Sequence, residues 1–505
     1  MDTLKELIRL ITKKRIKKIE LFDESNRNKT SNYYKLFNGL HLEKYRDDLE
    51  AAKDIYDCEP SEKKYLILKT RLKQKLLNTL FFLEPEEGVN QQAIVYDCHK
   101  NLYAAKILLL NQATDLAVPL LEKTLKRAEE YELVDIAWEC VRILRTYYSN
   151  LGQHREFLLY KEKEEQIEER MMLDNLSDKY YQELMVLLNQ PKSSKINSRQ
   201  IAENHYKVLE TKLAGNVSNR MKANFYQVKM LFHQFSKDFP SAIETATLLE
   251  SFITEETDFF SASDLEKVAI SKMKFYLQTL DFEKGIAYFN QNTVIFGETV
   301  STLFQFRQIG FLLAMYTGNY NAAGIIFQQS AEHPAFRELS EDEKEIWRVF
   351  QFYLSYLHKS LKIGELKAAV SVSKTKFLLS DYQNIIPEFN KRRRSENLLI
   401  LAVQTLFYLE KMETEAIAPV IYAMQQYCRR YPKKDEFFRS ECFVSLLDTM
   451  QQENFRFYQT RRSSERIFEE MRQEESEFSG KVTEILPYET IWNIILDKLK
   501  SYRYG

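Results

Sequence analysis

Residues 308–334 read QIGFLLAMYTGNYNAAGIIFQQSAEHP. Two apolar runs flank a Thr-Gly-Asn-Tyr turn at 317–320, and the second run carries small residues on one side. The stretch reads as a helical hairpin. Whether it stands alone or is one unit of a repeating series decides the fold.

Composition favours helices. The chain has 505 residues, 44% of them apolar and 29% charged, which describes a folded rather than a disordered protein. It holds only 12 glycines and 10 prolines, against an ordinary glycine content of ~7%. Tight sheet turns and phosphate-cradling loops draw on glycine, whereas long helices joined by short turns do not. The net charge is −1, so no global field draws the chain to nucleic acid or membrane. The five cysteines, Cys58, Cys98, Cys140, Cys428 and Cys442, are scattered with no CxxC pair. This spacing argues against a zinc ribbon and fits a reduced, cytoplasmic setting. Asp2, Glu6 and Arg9 interrupt the N-terminal apolar residues, which is unlike a signal peptide. The run at 398–409, LLILAVQTLFYL, is too short to span a bilayer.

A repeat emerges when the hairpin is compared with the rest of the chain. Amphipathic segments of helix length alternate with short breaks at 111–115, 149–153, 189–198, 236–241, 279–284, 316–320 and 361–365. A recurring position just after these breaks is held by Ala117, Phe157, Ala202, Ala242, Gly285, Ala323, Ala369 and Ala416. The gaps are 40, 45, 40, 43, 38, 46 and 47 residues. A small residue at a helix crossing lets two helices approach to ~8–10 Å. One pair cannot bury its whole apolar face, so pairs stack on their neighbours.

The opening stretch resembles a tetratricopeptide repeat in Gly318, Tyr320, Ala323 and Phe327, with Pro334 near the motif's closing proline. Segment 281–289 follows with Phe282, Gly285 and Phe289, and segment 238–246 with Phe239, Ala242 and Ala246. There are departures. Arg307 stands where the motif opens on tryptophan, and Gly310 is one residue from the packing position, which holds Phe311. The gaps also exceed the motif's ~34 residues. HEAT-type and other α-solenoids share these features. The resemblance implies an all-α fold, a superhelical array of antiparallel helix pairs that binds partners by its inner surface. On the helix before the turn, Gln305, Gln308, Leu312 and Met315 are the candidate groove residues.

Three regions follow: a basic helical segment at 1–90, the repeat array at 91–436, and C-terminal helices with a cap at 437–505. Leu4, Leu7, Ile8 and Ile11 mark one helix face, and Leu68, Leu72, Leu76 and Leu80 another. Segment 454–478 is charged throughout, while Ile491, Trp492, Ile495 and Leu499 form an apolar face suited to a cap or to a partner.

Motifs for chemistry are missing. The sequence holds no P-loop, GxGxxG, GxSxG or HExxH, and its seven histidines lie far apart. The expectation is a non-enzymatic cytoplasmic scaffold or adaptor that binds a protein or peptide segment, with no cofactor and no metal. Two basic patches support a rival reading as a nucleic-acid-associated regulator: Lys13, Lys14, Arg15, Lys17 and Lys18, and Lys391, Arg392, Arg393 and Arg394. A charged soluble face is the plainer account of both. A second rival is an enzyme, or an enzyme regulator, whose site is assembled from distant residues.

Overall fold

The computed structural model describes residues 2–13, 31–80, 91–190, 197–215, 217–297, 300–360, 394–430, 438–473 and 482–501. Among them are 21 α-helices and no strand. The chain divides into two compact units, Met1–Glu169 and Arg170–Gly505. The first holds α1 (Asp2–Lys13), α2 (Asn32–His41), α3 (Asp48–Tyr56), α4 (Lys63–Leu80), α5 (Gln91–Leu110), α6 (Thr114–Glu130), α7 (Val134–Asn150) and the start of α8 (His154–Leu188). The second continues with α9 (Ser198–Lys212), α10 (Asn219–Phe235), α11 (Phe239–Glu255), α12 (Ala262–Thr279), α13 (Phe282–Asn292), α14 (Val300–Tyr316), α15 (Tyr320–Ala331) and α16 (Glu341–Ser360). It ends with α17 (Arg394–Lys411), α18 (Thr414–Arg430), α19 (Phe438–Gln452), α20 (Phe457–Gln473) and α21 (Tyr488–Ser501). Helices adjacent in sequence pack against each other, as in α5–α6–α7 and α10–α11–α12, which is consistent with a helical repeat array.

The helices end alike. Gln112, Glu132, Gly152, Lys237, Gly318, Met412 and Asn454 all have positive φ. Each donates its N–H to the carbonyl three residues back, and the next residue donates to the carbonyl five back. Asn319 N to Ala314 O at 2.8 Å and Leu133 N to Ala128 O at 2.8 Å are examples. This is the Schellman motif, which satisfies carbonyls orphaned at the helix end. In six of the seven the next helix begins two residues after the left-handed one; after Asn454, where Phe455 is left-handed too, it begins at Phe457. The left-handed conformation costs a non-glycine residue about 1–2 kcal/mol, yet glycine fills only two of these seven positions.

The small positions lie where helices approach closely. Ala117, Ala202, Ala242 and Ala323 are fully buried. A Cβ at Gly285 would stand 2.4 Å from Leu313 Cδ2, and one at Gly310 would stand 2.7 Å from the Phe289 ring. Phe157 and Ala416 are half-buried, and Ala369 lies outside the described residues.

Helices α1–α4 share a small core containing Leu4, Leu7, Ile8, Ile11, Leu68, Leu72 and Leu76. A much larger core in the second unit is one cluster of buried residues drawn from between Ala269 and Leu499. Ile491, Trp492, Ile495 and Leu499 are buried in it, so the apolar face of α21 is used within the chain. Arg439 on α19 holds this end together. Its guanidinium donates to Glu484 Oε1 (2.7 Å) and Oε2 (3.1 Å), to Glu489 Oε1 (2.9 Å) and Oε2 (2.7 Å), and to the Met471 carbonyl (2.9 Å). Among the described residues, no helix is long and apolar enough to cross a membrane.

Candidate functional site

The four groove positions anticipated on α14 divide into two pairs. Gln305 and Gln308 are half-buried. Leu312 and Met315 are core residues, 0% and 1% exposed, and present no binding surface. The cause is tertiary. Helix α14 packs against α12, α13 and α15, and the Tyr316 hydroxyl at its end donates to the Glu484 carbonyl at 3.0 Å. The segment entering α21 therefore covers the end of α14. Of the basic residues, Lys14, Arg15, Lys17, Lys18, Lys391, Arg392 and Arg393 lie outside the described residues. Lys13 closes α1 and Arg394 opens α17.

The equivalent face is open in the first unit. Aligning Ala117 with Ala323 carries Gln305, Gln308, Leu312 and Met315 onto His99, Leu102, Lys106 and Leu109 of α5. Three of these four, His99, Leu102 and Lys106, line a cleft of about 180 Å³ with Tyr103, Asp135, Ile136 and Glu139. Helix periodicity explains the arrangement. Ile94, Cys98, Leu102 and Ala105 turn one face of α5 into the core, which leaves His99, Tyr103 and Lys106 on an adjoining face. Helix α7 likewise buries Ile136, Ala137 and Cys140 and presents Asp135 and Glu139 one turn apart.

The cleft has an apolar floor, Leu102 and Ile136, and polar walls. The Tyr103 side chain is 61% exposed. Lys106 Nζ pairs with Glu139 Oε2, both side chains being more than a third exposed. Such a pair contributes at most about 1 kcal/mol, so a ligand can rearrange it cheaply. Asp135 and His99 are exposed and make no hydrogen bond or ion pair among the described residues. Along α7, the Arg142 guanidinium lies 4.7 Å from the Trp138 ring centre, and Trp138 Nε1 donates to Glu168 Oε1 at 3.1 Å. Behind the floor, burial pushes the Cys140 thiol up to about 12 and raises Cys98 as well. Neither is a ready thiolate.

Small-molecule pockets generally run to about 300–1,000 Å³, so this cleft suits one or two side chains of a larger partner. Among the described residues no three His, Cys, Asp or Glu side chains are grouped as a metal site requires. Compared with family models, curated proteins and solved structures, the chain matches none.

On α14 the repeat rule selects two half-buried and two buried side chains, and on α5 it selects three that line a cleft. His99, Tyr103 and Lys106 carry the i, i+4, i+7 spacing of an outward polar row before the break at 111–115. The alignment that links Ala117 to Ala323 reaches His99 and Lys106 but not Tyr103, which corresponds to Ile309.

Proposed function

We propose that this protein is a non-catalytic cytoplasmic scaffold or adaptor. Its helix pairs are tetratricopeptide-like, run antiparallel and stack within each unit as a superhelical array. A protein or peptide segment is held on the inner face formed by the helices that precede the tight turns. The observation that carries this reading is the convergence at the α5–α7 cleft. Positions chosen on α14 by the repeat rule correspond, on α5, to side chains that line an open cleft of side-chain size.

The test is affinity purification from the source cell followed by mass spectrometry, using the native chain and the double variant Tyr103→Ala/Asp135→Asn. Both residues are exposed, so the variant is expected to fold normally. The native chain should retain a protein partner. Removing an anchoring tyrosine should weaken binding by about 2 kcal/mol, or roughly 30-fold. Equal recovery by both chains, or recovery of nucleic acid without a protein partner, would overturn the proposal.

A further inference from the structure

The second unit contains a buried charge without a counter-charge. Arg307 on α14 is 7% exposed. Its Nε and Nη1 are shielded from solvent and have no hydrogen-bond partner. Among the described residues no ion pair or hydrogen bond reaches the guanidinium at all. Three other buried or partly buried cations of this unit have carboxylate partners. Lys272 Nζ lies 2.6 Å from Glu250 Oε2, Arg348 pairs with Glu341 and Glu345, and Arg439 takes up two carboxylates.

A guanidinium stays protonated at any physiological pH, and an ionised group removed from water without a partner is strongly disfavoured. Phe304, one turn before Arg307 on α14, meets His333, Phe336 and Trp347 edge-on with centres 5.7–5.9 Å apart. Water is thereby largely excluded from this side of the helix, which strengthens any charge interaction made there.

His333 supplies a second donor. Its Nδ1 accepts from the Ala335 N–H at 3.3 Å, which places the ring proton on Nε2. Nε2–H has no acceptor among the described residues. The His333 ring packs on Phe304, one turn before Arg307, and the imidazole is held below its ordinary value by burial first and by the Arg307 charge second. The Arg307 nitrogen that is not shielded is Nη2. A carboxylate or phosphate arriving at that edge meets Nη2, a charge-assisted donor.

We propose that Arg307, with His333 beside it, is a receptor for a small oxyanion, a carboxylate or a phosphate. It lies in the second unit and is independent of the α5–α7 cleft. The test is thermal unfolding of the full chain in sodium phosphate, in sodium acetate and in sodium chloride at matched ionic strength. The Tm of the native chain should rise with phosphate or acetate concentration beyond the chloride control, as mass action requires. Response to one anion alone assigns that chemistry. The rise should vanish in Arg307→Met and shrink in Arg307→Lys, which keeps the charge but loses the guanidinium. No rise in the native chain, or the same rise in Arg307→Met, would overturn the proposal.

Discussion

Arg439 and Arg307 are both largely buried in the second unit, yet their surroundings differ. Arg439 spends all of its guanidinium nitrogens on Glu484, Glu489 and the Met471 carbonyl. Arg307 has no acceptor among the described residues. Arg439 ties α19 to the segment that leads into α21, and the same Glu484 places its carbonyl on Tyr316. Its charge is part of how the second unit closes. Arg307 contributes nothing of that kind, so its charge weighs against the fold until a counter-ion arrives. Burial alone therefore does not say what an arginine does; the positions of its acceptors do.

Substitution by methionine should separate the two most sharply. Arg439→Met leaves Glu484 buried without its cation, and breaking such a pair costs about 3–5 kcal/mol. Denaturant unfolding of the second unit should show that loss. Arg307→Met should act in the opposite direction. Methionine matches the stem and removes the orphan charge, so stability in chloride buffer should rise by about 1–3 kcal/mol, in the range seen when buried ionic groups give way to apolar ones. Equal losses in the two variants would mean that Arg307 has a partner after all.

A finer test uses pH. His333 is depressed from its ordinary value of 6.5. A depressed imidazole contributes stability that is fully present above the unfolded value and is lost as pH falls through the folded one. The second unit should therefore weaken as pH drops below 6.5, with His233, also depressed by burial, adding to the slope. His333→Asn keeps an acceptor for the Ala335 N–H and should flatten part of it. In Arg307→Met the His333 titration, followed by NMR, should move up toward the ordinary value. An unchanged titration would show that the Arg307 charge does not reach the imidazole.

Much of the helical architecture was legible because its signals are local. The faces Leu4/Leu7/Ile8/Ile11 and Ile491/Trp492/Ile495/Leu499 are spaced for one side of a helix, and both are buried. Gly285 was picked out by spacing and is a point where no side chain fits without a shift. Gln112 and Lys237 fall within breaks that the segment pattern marked, but the conformation of the turns was harder to see. Gln112, Glu132, Lys237, Met412 and Asn454 adopt the left-handed conformation that glycine would have advertised, so five of seven equivalent helix ends carry no turn residue as obvious as Gly318.

The sequence by itself marked the all-α class and most of the helices, because periodicity and capping act within a few residues of chain. Only the tertiary structure decided which faces stay open. Leu312 and Met315 of α14 are buried, and the end of that helix bonds to Glu484, 168 residues away, while the corresponding positions of α5 border a cleft with α7. The fate of a charge was settled in the same way. Arg439 and Arg307 each follow a phenylalanine on a helix, and what separates them is which distant carboxylates folding brings within reach.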